Sequence, residues 1–347
     1  MATPSFTCVA RAVVRVRRVL VALLLTVGTL ARAETFPIEL ATHPVPIAEG
    51  IQLGDRIGRL RFLGMLELPI LKLAETRFSQ LSGLAWDDDE QILYAISDKG
   101  WLFHLRPKFQ GEYLHGVTLL DAAPMREQDT NKPLKRQRSD QEGLDVVNAR
   151  NGIRGDSELV VSFERVPRVM RYRPNGKAVR EDPLPEVLRS ASGYRSDNKA
   201  LEAACVDDKY GTLVAPEVPR KDAPEGETRI YGLSGDSWLY RPEPDYRITA
   251  MECLGNAELL VLEVDYGRLL AHSALALKRV QLSPPSARNA RARVTQIVRL
   301  DTAQGYVIDN FEGLARHRGM RFFLVTDNND LFFQRTLLVY IELLPVE

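Results

Sequence analysis

The chain has 347 residues, with 46 basic and 46 acidic side chains and 45% hydrophobic residues. That length holds one large domain or two medium ones, and the ordinary composition excludes collagen-like repeats and extended disorder. The zero net charge hides an asymmetry: residues 1–33 carry five arginines and no acid, leaving 41 basic against 46 acidic residues beyond them, so the body gives no electrostatic reason to bind nucleic acid.

At the start of the chain, Arg11, Arg15, Arg17 and Arg18 precede an apolar run at 19–30, followed by Ala31-Arg32-Ala33. A basic region, an apolar region and a small-x-small site in that order read as a secretory signal, with Glu34 as the first mature residue. The run is short for a span of about 20 residues, so no stable membrane span is expected once the signal is removed. The expected location is periplasmic or secreted. Residues 34–57 read as an N-terminal extension. Of three cysteines, Cys8 lies in the signal, while Cys205 and Cys253 remain. An exported chain can pair them, and two buried thiols inside apolar runs are equally natural.

From residue 58 the signal is repetition. Ser82-Gly83-Leu84, Glu142-Gly143-Leu144, Glu202-Ala203-Ala204, Glu252-Cys253-Leu254 and Glu312-Gly313-Leu314 begin five units spaced 60, 60, 50 and 60 residues apart. Each start leads through a polar turn to a short apolar run, at 92–96, 159–163, 212–215, 259–262 and 322–326. Such runs, bounded by turn residues and followed by further strand candidates, predict four-stranded antiparallel units. The expectation is an all-β fold, a β-propeller with five blades. Six blades follow if the stretch 271–300 hides a degenerate one, and an antiparallel sandwich is the alternative fold. The last unit has only three strands, and a strand at 60–68 has no unit of its own. It would complete the last blade, close the ring and remove an exposed edge.

Each apolar run ends in an acid: Asp98, Glu164, Glu217, Glu263 and Asp327. The unit starts would bring Glu142, Glu202, Glu252 and Glu312 around the axis, with Ser82 in the fifth place. Carboxylates so concentrated repel unless neutralised. A hard cation such as Ca²⁺, which takes 6–8 oxygens, would do this, as would neighbouring bases such as Lys99, Arg165, Lys199, Arg220 and Arg268. The alternative is that the acids only cap turns and fix blades. The oxygen-rich run Asp327-Asn328-Asn329-Asp330 lacks the spacing of an EF-hand loop.

The segments Ser82-Gly83-Leu84 with Ala95-Ile96-Ser97-Asp98, Asp140-Gln141-Glu142-Gly143-Leu144, Asn198-Lys199-Ala200-Leu201-Glu202, Leu260-Val261-Leu262-Glu263, and Asp309-Asn310-Phe311-Glu312-Gly313-Leu314 with Thr326-Asp327-Asn328-Asn329 resemble the exported bacterial family called esterase-like activity of phytase. The resemblance spans about residues 58–344. It implies a propeller and a phosphoester or ester hydrolase. Ala200, Ala203 and Ala204 depart from the Gly-Phe and Gly-Leu expected around Glu202, and Asp330 stands where an aromatic is expected.

Other chemistry is missing. There is no G-x-S-x-G elbow, and no two of the five histidines are at metal-ligand spacing. Arg316-His317-Arg318-Gly319 resembles a histidine phosphatase signature, but it falls on a predicted turn, where His317 is expected at the surface. The basic stretch 126–138 reads as a solvated loop.

Two functions remain. In the first, Glu142, Glu202, Glu312 and Glu263 are catalytic, Asp98, Glu164, Glu217, Asp327 and Asn328 hold Ca²⁺, and Lys199, Arg165 and Arg268 bind a small phosphorylated or ester substrate, in a monomer. In the second, a non-catalytic propeller binds a ligand or partner protein. Fold alone does not choose between them.

Overall fold

The apolar runs form strands in the computed structural model, which describes Met1 and residues 35–196, 198–267, 272–284 and 290–345. The predicted leader and its cleavage site lie outside the described residues, as does Arg268. Five antiparallel sheets follow one another as the five blades of a propeller. Blade 1 runs outward through Leu81–Asp87, Ile92–Ser97, Trp101–Gln110 and Tyr113–Pro124. Blade 2 uses Gln141–Val147, Glu158–Phe163, Arg168–Tyr172 and Ala178–Asp182. Blade 3 uses Leu201–Asp207, Gly211–Pro216, Thr228–Gly232 and Ser237–Tyr240. Blade 4 uses Arg247–Gly255, Glu258–Asp265, Ala274–Gln281 and Arg293–Asp301, so the stretch 271–300 supplies its outer strands and no sixth blade.

Blade 5 takes Phe311–Arg316, Arg321–Thr326 and Thr336–Leu343 from the end of the chain, and Leu60–Leu68 pairs with Thr336–Leu343 as its fourth strand. The expected closure is therefore present. The residues before it are woven into the ring. Ile38–Glu39 pairs with the outer strand of blade 1, and His43–Pro44 pairs with Leu60–Leu68.

Blades stack face to face, so both faces of an inner strand are covered. This is why the runs read as continuous apolar stretches without clean alternation. All seven residues of Leu81–Asp87 are buried. The core is accordingly divided among the interfaces. One cluster joins blades 5 and 1 through Leu66, Leu81 and Phe323, another joins blades 4 and 5 through Phe62, Leu262 and Leu324, and three more fill the remaining interfaces. Cys205 and Cys253 form a disulfide between the inner strands of blades 3 and 4.

His317 departs from expectation. It sits at the turn but points inward, 5% exposed, with Nδ1 2.7 Å from the Tyr340 hydroxyl and its ring stacked on Phe109. Burial lowers its pKa to about 4, so it is a neutral core side chain.

Each inner strand carries a register shift at the same place: between Leu81 and Gly83, Gln141 and Leu144, Leu201 and Ala203, Ile248 and Ala250, and Phe311 and Gly313. A bulge leaves one residue out of the ladder and re-aims its side chain. The residues so released are Ser82, Glu142, Glu202, Thr249 and Glu312. The glycine that often follows has a steric cause. A Cβ on Gly143 would lie 2.5 Å from both the Ala204 nitrogen and the Ser162 hydroxyl, and one on Gly83 would lie 2.5 Å from the Glu142 carbonyl. Gly143→Ala is expected to destabilise the fold by about 1–3 kcal/mol through overpacking. Urea denaturation checks this, and a stability equal to the parent would refute the close approach.

Candidate metal and substrate site at the channel mouth

The bulges build one end of the axis. Glu142, Glu202 and Glu312 line a cavity of about 540 Å³ together with Ser82 and the acids that follow the second strands of blades 1, 2, 3 and 5, namely Asp98, Glu164, Glu217 and Asp327. Lys199 and Arg165 line it too. These ten residues, nine of them expected as site residues and Ser82 as the fifth member of the ring, are therefore brought together.

Four expected members are placed elsewhere. In blade 4 the strand pairing sets Ile248 opposite Glu263, just as Leu201 is set opposite Pro216 in blade 3. The counterpart of Glu217 is thus Val264. A slip of one residue turns a side chain to the other face of the sheet. Glu263 is fully buried there, with Lys278 Nζ 2.9 Å away, the Glu243 amide donating to it at 3.1 Å and the Tyr240 hydroxyl donating as well. Glu252 is likewise three residues past its blade's bulge, and Thr249 takes the ring position. Glu252 instead faces Asp145, and burial followed by that neighbouring charge raises its pKa to about 8. Asn328 is buried with its Oδ1 accepting from the Gln80 amide at 3.1 Å, and it does not line the cavity. Arg220 also lies apart, paired with Asp222 and stacked over Tyr194.

The structure adds three residues. Asp140 lines the cavity and accepts from Arg165 Nε at 2.7 Å. Arg247 Nη1 lies 3.0 Å from Glu217, which also receives Lys199 Nζ at 2.8 Å. Tyr266 lines the cavity, its hydroxyl buried and without a hydrogen-bond partner among the described residues. Asp140 and Arg247 each sit two residues before a bulge residue, as Asn310 does in blade 5. Counting back from Thr249 finds Arg247, whereas counting back from Glu252 gives Ala250.

The electrostatics follow from burial without enough countercharge. Desolvation, then Glu202 and Glu164, holds Glu142 well above the carboxylate range. Desolvation, then Glu164 and Glu217, does the same to Glu202. Glu312 is raised by desolvation and Asp327, although Asn310 donates to it at 2.6 Å. Glu164 is pushed to about 8 and Asp327 to about 7, with burial the first cause of each. The site therefore either takes up protons or is neutralised by a cation.

A cation fits. Single oxygens of Asp140, Glu142 and Glu164 lie within 4.8 Å of one another, and so do those of Glu164, Glu202 and Glu217. Glu164 belongs to both groups. Asp98 Oδ1 and Ser82 Oγ are buried in the same wall with no partner among the described residues, so oxygens remain for an ion that seeks 6–8 of them.

Fold and site together define a five-bladed propeller with a carboxylate-rich, metal-competent channel mouth. The chain belongs to the phytase-like family, esterase-like activity of phytase, which matches residues 76–330. No curated protein sequence matches the chain. Among solved structures it is similar to XC5397 from Xanthomonas campestris, described as a gluconolactonase, at 14% identity and a TM-score of 0.41 over 91% of this chain and 89% of that one. It is also similar to U3-55K, at 10% identity and a TM-score of 0.38 over 80% of this chain and 98% of that one. A third is the Swd1 propeller of Myceliophteria thermophila, at 9% identity and a TM-score of 0.36 over 88% and 99%.

Proposed function

We propose that this chain is an exported, monomeric, metal-assisted hydrolase of small phosphate or carboxylic esters, with Ca²⁺ as the cation. The observation that carries the reading is Glu164, shared by two carboxylate triads inside one substrate-sized cavity. Asp140, Glu142, Glu164, Glu202 and Glu217 would hold the ion. When bound, it supplies Lewis acidity toward the ester oxygen and makes a bound water more acidic.

The remaining work falls to the chain. Lys199 and Arg247, both paired to Glu217, and Arg165, paired to Asp140, set positive charge around the cavity to receive an anionic ester. The Glu312 carboxyl keeps its proton because it is buried beside Asp327, and it can donate that proton to the departing alcohol oxygen. The Tyr266 phenol, raised by burial and by Glu312 and Glu202, stays protonated and can donate to a substrate oxygen. The disulfide suits an oxidising compartment, and the leader supports export.

The purified protein, assayed on phosphate and carboxylic esters with and without EDTA, tests the reading. Hydrolysis is expected to vanish in EDTA and to return with Ca²⁺. Full activity in EDTA would overturn the metal, and inactivity on every ester with Ca²⁺ present would overturn the hydrolase. Export is checked by sequencing the N-terminus of the released protein, where an intact Met1 on a membrane-bound product would contradict it.

A further inference from the structure

The run Asp327-Asn328-Asn329-Asp330 does not act as a loop of metal oxygens. Its side chains fix the loop and its neighbours, two of them by accepting from backbone amides. Asp327 Oδ1 accepts from the Asn329 amide at 2.7 Å, Asn328 Oδ1 accepts from the Gln80 amide, and Asn329 Nδ2 donates to Gln334 at 3.2 Å. Asn329 and Asp330 both take left-handed backbone, at φ 48° and 51°, a conformation that Asn and Asp tolerate better than most residues. The Arg335 amide closes the far side on Asp309 at 3.1 Å. This polar base lifts Leu331-Phe332-Phe333 out of the fold. Phe332 is 99% exposed and Phe333 47%, with the two rings edge to face at 5.3 Å. Phe333, Asn329 and Gln334 line the same cavity as the carboxylates, and Ile308 adds a second apolar side chain there.

These two neighbouring phenylalanines, at the rim of a charged cavity, belong to none of the apolar core clusters among the described residues. A large apolar group gains by leaving water only if something covers it. We infer that Phe333, extended by Phe332, is a specificity wall for the apolar alcohol of a phosphate ester, whose phosphate lies against Lys199, Arg247 and Arg165. The site then selects amphiphilic monoesters over uniformly polar ones. This rests on the hydrolase reading and deepens it by naming a substrate class.

The test compares 1-naphthyl phosphate with glycerol 2-phosphate, using the parent and the Phe332→Ala/Phe333→Ala variant with Ca²⁺ present. The parent is expected to favour the naphthyl ester. The variant should lower the ratio of the two kcat/KM values by about tenfold, because it removes apolar contact for one ester only. Both side chains are exposed, so the melting temperature should hold. Calorimetric binding of the non-hydrolysable 1-naphthylmethylphosphonate separates this inference from the hydrolase reading. If no ester is cleaved but the phosphonate binds and the variant loses that binding, the wall stands and the hydrolase fails. If esters are cleaved and the ratio is unchanged, or if the parent does not bind the phosphonate, the wall is wrong. Loss of sedimentation with phospholipid vesicles in the variant, at an unchanged ratio, would make the tip a membrane contact and overturn the inference.

Discussion

A chain beginning at Glu75 is expected to yield no cooperatively folded protein. The strand Leu60–Leu68 pairs along its length with Thr336–Leu343, and its two faces serve different interfaces. Leu60, Phe62 and Met65 pack between blades 4 and 5, whereas Leu63, Leu66 and Leu68 pack between blades 5 and 1. A register shift at Leu63, beside Gly64 at φ 136°, puts Leu66 and Leu68 on the face opposite Leu60 and Phe62. Six buried apolar side chains at about 1.5–3 kcal/mol each approach or exceed the 5–15 kcal/mol by which a domain is stable. Deletion also bares the Thr336–Leu343 edge, which invites aggregation. Circular dichroism and a thermal melt check this. A truncated chain that melts like the parent would show that the ring does not depend on its closure.

The second large effect is on pH and cation dependence. Glu164 rises from an ordinary 4.5 to about 8 when the metal-free chain folds. The folded state then binds the proton more tightly than the unfolded one between those values. Its stability is fully present below the ordinary carboxylate value and is lost as pH rises toward 8. Asp327, raised to about 7, acts in the same direction. In EDTA, the melting temperature is expected to fall between pH 5 and pH 8 by roughly 5 °C or more. Ca²⁺ should restore it at pH 8 and do little at pH 5, where protons already occupy the oxygens. Glu164→Gln separates the causes, since it removes the charge and keeps the shape. It should flatten the loss in EDTA, making the variant more stable than the parent at pH 8, and it should abolish the gain from Ca²⁺. A variant that responds to Ca²⁺ at pH 8 as the parent does would rule out Glu164 as the shared ligand. Unchanged stability across the pH range in EDTA would rule out the buried, raised carboxyl.

The site residues divide by what their positions depend on. Glu142, Glu202, Glu312, Glu164, Glu217 and Asp327 were legible because each sits at a fixed distance from a turn that the repeat makes visible. Blade 4 was not legible in the same way. Its repeat pattern points to the carboxylate Glu252, although the bulge falls at Thr249, and nothing in residue type marks a bulge. Glu263 took the place that belongs to Val264, and Arg247, two residues before the true bulge, went unseen.

The strand pattern, five units, the closing strand and an acidic axis are readable from the residues alone, because period, turn residues and charge are local properties that survive without knowing any contact. Only the tertiary structure decided which acids share a cavity. A strand's register sets which face each side chain takes, and register is fixed by hydrogen bonds to a partner strand rather than by the residues of one strand alone. The same holds for Asp327 and Asn328, each of which gives one side-chain oxygen to a backbone amide in the fold. It holds for His317 as well. Its turn is visible in the sequence, yet its burial against Phe109 and Tyr340 depends on strands more than 20 residues away on one side and 200 on the other.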